Sequence, residues 1–172
     1  MPYRETKTVT AREQIQHKFA TRAAKVVNIF QCLIVSANPQ RRELFQQSAT
    51  ESGWKSMLCG DVAAAMTTLN RSIVQLAIVD LEDQHAGPFR LVVEHIAGRS
   101  GLLLVVCGNE GNIDEEVWVR QQGAWLYLPG VPQGNNFTML CGEARQIAER
   151  LWKANNPQRE VGLSATPRHH YS

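Results

Sequence analysis

Asp80 closes an apolar run, Leu76-Ala77-Ile78-Val79, and two further acids, Glu82 and Asp83, follow it. An aspartate at the carboxyl end of a buried parallel strand stands where open α/β sheets place their ligands and their chemistry. It therefore presents itself as an active-site carboxylate. Whether it is reactive depends on what the neighbouring strand ends supply, and those are Ser36-Ala37, Cys107-Gly108 and Leu128-Pro129.

Other residue types capable of chemistry form no convincing pattern. Cys32, Cys59, Cys107 and Cys141 are far apart and make no C-x-x-C pair, which argues for buried free thiols in a reducing compartment. His17, His85 and His95 lack metal-ligand spacing, and His95 is expected to be partly buried on a helix. His169-His170 is too short a run to argue for a metal. No metal site is expected. Gly108-Asn109-Glu110-Gly111 lacks the spacing and lysine of a P-loop and reads as a tight strand-to-helix turn. Ser36 has no G-x-S-x-G context.

The elements that would position Asp80 alternate between two patterns. Strands are expected over 30–35, 54–59, 76–79, 102–107 and 124–128. Between them, Asn38-Pro39 opens a helix that stops at Gly53, Asp61 caps a second, Gly87-Pro88 opens a third that closes at Gly98, and 114–122 form a fourth with an acidic first turn. A fifth places Phe137, Leu140, Cys141, Ala144, Ile147, Ala148 and Leu151 on one face. Alternating strands and helices imply β-α-β units. The expected fold class is α/β, a doubly wound five-stranded parallel sheet of flavodoxin-like (βα)5 type, with an extra N-terminal amphipathic helix.

Three segments follow from this pattern: 1–29, 30–153 and 154–172. The first has a capping box, Thr10-x-x-Glu13, ahead of Ile15, Phe19, Ala23 and Val26 at helical spacing. It carries Arg4, Lys7, Arg12, Lys18, Arg22 and Lys25 against Glu5 and Glu13, whereas the middle of the chain is acidic. The last segment has two prolines, no periodicity, and is expected to be a flexible tail. The N-terminus has no apolar leader pattern and no run suits a membrane span, so a cytoplasmic location is expected. The basic arm is too weak a signal to argue for nucleic acid.

Over about residues 30–153 the order resembles the receiver (CheY-like) domain of bacterial response regulators. Val35 ends a first strand followed by a polar turn and Pro39; Gly60-Asp61 leads into an alanine-rich helix; 75–80 matches the phospho-acceptor strand; and Gly123-Ala124 followed by Tyr127 is similar to a G-A-x-x-Y signature. The resemblance implies that Asp80 is the phospho-acceptor position. It also implies a magnesium ion held by an acidic pair after the first strand, a hydroxyl at the end of the fourth, and a lysine after the fifth. Here those positions read Ser36 and Ala37, then Cys107, then 128–131 without a lysine, where Gly130 stands in the pocket. Magnesium prefers hard oxygen ligands, and phosphoryl transfer depends on positioned charge. Asp80 alone lacks both.

The expected function is therefore a degenerate pseudo-receiver: a non-catalytic signalling or scaffold module, not an enzyme, independent of phosphorylation and without a cofactor. It would act through a protein partner or self-association, with a dimer as one form. In receivers the fourth helix, fifth strand and fifth helix meet partners, so Trp118 and Tyr127 are candidate interface residues beside Ile15 and Phe19 of the arm. Trp125 either joins them or packs beneath the fifth helix. Two alternatives stay open. One is an atypical acceptor using Asp80, which alone would call for Mg2+, with Glu82 and Asp83 as a rebuilt acidic site. The other is a module binding a small nucleotide or effector at the strand-end rim. In the first reading Asp80 is a solvated carboxylate that accepts backbone N–H groups.

Overall fold

The computed structural model describes residues 30–82, 85–130 and 135–156. The arm with Ile15, His17 and Phe19, the acid Asp83, Val131 and the tail with His169-His170 lie outside the described residues. Five parallel strands form one sheet in the order β2-β1-β3-β4-β5. They are β1 (Gln31–Val35), β2 (Lys55–Cys59), β3 (Leu76–Asp80), β4 (Leu103–Gly108) and β5 (Leu126–Pro129). The helices are α1 (Pro39–Glu51), α2 (Val62–Arg71), α3 (Arg90–Ile96), α4 (Ile113–Gln121) and α5 (Asn135–Asn155). This is the expected doubly wound, flavodoxin-like sheet.

The central strands β3 and β4 are buried at every position, which is why both read as unbroken apolar runs. Strand alternation divides the core in two. On one face Cys32, Ile34, Leu76, Ile78, Leu103, Val105 and Cys107 meet Phe45 and Ala49 of α1 and Phe137, Cys141, Ala144 and Ala148 of α5. On the other, Leu33, Val35, Ala77, Val79, Leu104, Val106 and Tyr127 meet α2, α3 and Val119 of α4. The Phe45 and Phe137 rings, 5.0 Å apart between centroids, join the two helices of the first face. All four cysteines are free and buried.

The helix starts follow the sequence signals. Asn38 Oδ1 accepts the Gln40 and Arg41 N–H groups at 2.9 and 3.3 Å, with Pro39 in the first turn. Asp61 Oδ1 accepts the Ala64 N–H at 2.8 Å. Several details differ from expectation. Gly87–Phe89 form a 3-10 turn before α3, with the Phe89 N–H donating to the Ala86 carbonyl at 2.8 Å. The fourth helix starts at Ile113, one residue earlier than expected, with Asn112 as its cap ahead of the expected acidic first turn, and β5 begins two residues late. Leu151 is 38% exposed rather than on the core face, and the neighbouring Trp152 packs against the core instead. His95 is exposed, with Arg99 Nη2 at 2.6 Å from its Nε2.

Gly108 is the tightest backbone position. A Cβ there would lie 2.3 Å from the Tyr127 ring and 2.4 Å from Glu115 Oε1. Gly108→Ala is expected to lower stability by roughly 1–3 kcal/mol through overpacking. A urea midpoint unchanged from wild type would contradict this packing.

Candidate functional site

Parallel register builds the site. Val35 pairs with Val79, Asp80 with Cys107 and Cys107 with Leu128. Side chains two apart share a face, so Ser36, Asp80, Cys107 and Leu128 form a row across the carboxyl ends of β1, β3, β4 and β5, on the α1/α5 side. Ala37 turns to the other side and packs against the core there. Gly130 follows β5 with φ +78, a conformation that suits glycine, and its N–H donates to the Gly108 carbonyl at 2.8 Å.

Asp80 has no exposed surface, so the expectation of a solvated carboxylate is corrected. Its Oδ2 accepts the Ser36 hydroxyl at 2.6 Å. Its Oδ1 accepts the Glu82 N–H at 3.1 Å, the backbone contact that was expected. Arg41 Nη1 lies 3.0 Å from Oδ1 and 3.2 Å from Oδ2. Arg41 Nη2 pairs with Glu82 Oε2 at 2.8 Å. One guanidinium from the first turn of α1 thus holds both acids. Arg42, next to it, donates to the Ser36 carbonyl and so fixes the turn that carries the hydroxyl.

Arg41 was missed in the sequence because it stands outside every strand-end position. The available signal was the helix start: Asn38-Pro39 sets the phase of α1, and its third residue falls over the sheet rim. Cys107, beside Asp80, is fully buried. Burial first, then the nearby Asp80 carboxylate, push its thiol far above the usual range. It offers neither a thiolate nor a strong hydrogen-bond donor.

The donor set does not fit magnesium. Asp80 is the one carboxylate in the row, Ala37 has no ligand atom, and a cation from the chain itself already spans both Asp80 oxygens. Among the described residues no group of three or more His, Cys, Asp or Glu side chains could hold a metal ion.

A second polar cluster lies on the opposite side of β4. Glu115, expected only as part of an acidic first turn, points inward and is 4% exposed. Its Oε1 accepts the Asn109 N–H at 2.8 Å and the Tyr127 hydroxyl at 3.1 Å. Arg90 Nη2 approaches its Oε2 at 3.4 Å, and Arg90 Cζ lies over the Trp118 ring at 4.6 Å from the centroid. Tyr127 is therefore a core residue, which corrects its expected place at an interface: its hydroxyl is drawn in by Glu115. Trp118 is half-buried beneath Arg90. Trp125 is also half-buried and packs against the core on the α5 side.

Two outcomes test this geometry. Arg41→Ala is expected to destabilise the protein by roughly 1–3 kcal/mol, below the full cost of stranding a buried charge because Arg41 is partly exposed. The loss should shrink in an Asp80→Asn background; equal losses in both backgrounds, measured by urea unfolding, would count against the pairing. Burial, followed by the Glu115 carboxylate, pushes the Tyr127 phenol up to about 12. An unfolded phenol ionises near about 10. Stability should therefore be full below that pH and fall as pH rises from there to the folded value. Tyr127→Phe should flatten the fall in urea midpoint across this window.

No protein-family model matches the chain, and no curated protein matches it. Solved structures do. A CheY-like response regulator receiver domain protein from Methanospirillum hungatei matches with a TM-score of 0.61 at 14% identity, over 74% of this chain and 99% of that one. A response regulator from Thermotoga maritima matches at 0.57 and 14%, over 70% and 98%. NtrX from Brucella abortus matches at 0.63 and 18%, over 81% of this chain but 32% of NtrX, so the chain spans about a third of that protein. Among the described residues no helix is long and apolar enough to cross a membrane. The five-stranded order, the helices on both faces and these similarities together give the chain the fold of a response-regulator receiver domain.

Proposed function

We propose that this chain is a signalling module of receiver fold that works without phosphorylation and without catalysis, through contacts with protein partners. The observation that carries this reading is the occupation of Asp80 by Arg41 and Ser36 from the same chain. A phosphoryl donor would have to approach a carboxylate with no exposed surface. It would also have to displace a guanidinium that pairs with Glu82 as well. Transfer depends on groups that stabilise developing charge, and each one lost costs about 10²-fold or more in rate. The row offers a buried thiol in place of a hydroxyl, and residues 128–131 supply no lysine.

The test is direct. Incubation of the full chain with Mg2+ and acetyl phosphate should leave its intact mass unchanged. Beryllofluoride with Mg2+ should leave its amide spectrum unchanged. A phosphoryl mass gain, or a shift that disappears in Asp80→Asn, would defeat the reading and favour an atypical acceptor.

A further inference from the structure

We propose that residues 10–26 of this chain dock within the same molecule, into the open groove between β5 and α5. The groove has a volume of about 310 Å³ and is lined by Trp125, Leu126, Asn136, Met139, Leu140 and Glu143. Trp125, Leu126 and Leu140 pack inward on the α1/α5 core, while Met139 is 67% exposed at the rim. Among the described residues β5 is an edge strand, and no described strand covers the groove from the side.

Two observations select the arm as occupant. The first is reach. Phe30, which precedes β1, shares one face of the sheet with Trp125, Leu126 and Leu140. Phe19 precedes Phe30 by eleven positions, a span of about 16 Å in helical form. Strands β1 and β5 are separated by three inter-strand spacings, about 14 Å. The second is chemistry. The arm's apolar residues, Ile15, Phe19, Ala23 and Val26, recur at helical spacing, the pattern of a helix that lays one face in a groove. Lys18 and Arg22 flank that stripe, and Glu143 stands at the groove rim. Residues 1–29 hold six Lys and Arg against two Glu, whereas residues 30–156 hold ten against thirteen acids.

The docking itself is independent of how Asp80 behaves. Its consequence, that an external partner must compete with the arm for this face, rests on the reading given above.

The experiment uses the full chain with the benzophenone amino acid p-benzoylphenylalanine in place of Met139, a position exposed enough to leave the fold intact. Irradiation followed by proteolysis and mass spectrometry should give a link within one chain to a residue in 10–26. Phe19→Glu should cut its yield about tenfold, as expected for loss of one buried aromatic anchor. A link between two chains, rising with protein concentration, would assign the groove to a second copy and overturn the proposal. So would the absence of any link to 10–26, or a yield unchanged by Phe19→Glu and Ile15→Glu together. None of these outcomes bears on the acetyl phosphate assay, so the two readings fail separately.

Discussion

A carboxylate with no access to water must find every partner inside the protein, or its burial costs several kcal/mol. Parallel register imposes that condition on Asp80. Once β3 pairs with β1 on one side and β4 on the other, the last residue of β3 is walled in by the turns that follow its neighbours. Ser36, Arg41 and the Glu82 N–H answer the condition. Each comes from an element whose position is set elsewhere: Ser36 by the end of β1, Arg41 by the Asn38 cap, and Glu82 by the chain's exit from β3. The site and the sheet therefore depend on one another. Moving α1 by one residue would carry the guanidinium off the rim and strand the acid.

The same logic explains the second cluster. Gly108 leaves no room for a side chain beneath Tyr127 and Glu115, so the phenol and the carboxylate close over the backbone of β4. Asn109 ties this cluster to the first. Its side chain donates to the Leu81 carbonyl at 3.3 Å, while its backbone N–H donates to Glu115. The loop after Asp80 and the hydroxyl of Tyr127 thus share one intermediary. The buried phenol donates to Glu115 at 3.1 Å, so the acidic turn of α4 supplies more than a favourable helix dipole.

The strands were legible because burial on both faces writes itself as continuous apolar sequence, and the helix starts because Asn38 and Asp61 cap in the ordinary way. Asp80, Ser36, Ala37, Cys107 and Gly130 were legible for a related reason: strand ends can be counted. Arg41 and Glu115 were not. Both are charged residues on helices, where sequence alone gives a solvated face as the default, and only the phase of each helix against the rim shows that they turn inward. Tyr127 misled for the opposite reason. A tyrosine in an edge strand suits either a surface or a core, and the inward choice depends on Glu115, twelve residues away. β5 starts late because only from Leu126 does it pair in register with β4, although the Trp125 N–H already donates to the Leu104 carbonyl.

What remains open to the surroundings follows from what is closed. Both acids at the rim are held by groups of the same chain, and the thiol beside Asp80 is buried. Exposed apolar side chains are spread over the molecule, Ile73 and Leu91 among them, and on the β5 side they include Ile113 and Val117 on α4, 73% and 48% exposed, and Met139 on α5. Ile113 and Val117 are one helical turn apart, so they present one ridge rather than scattered positions. Such a ridge beside an open groove is the kind of surface that monomers keep covered or use for binding. With the rim acids paired inside the chain, the α4 ridge and Met139 are the apolar surface that the β5 side leaves open to contact.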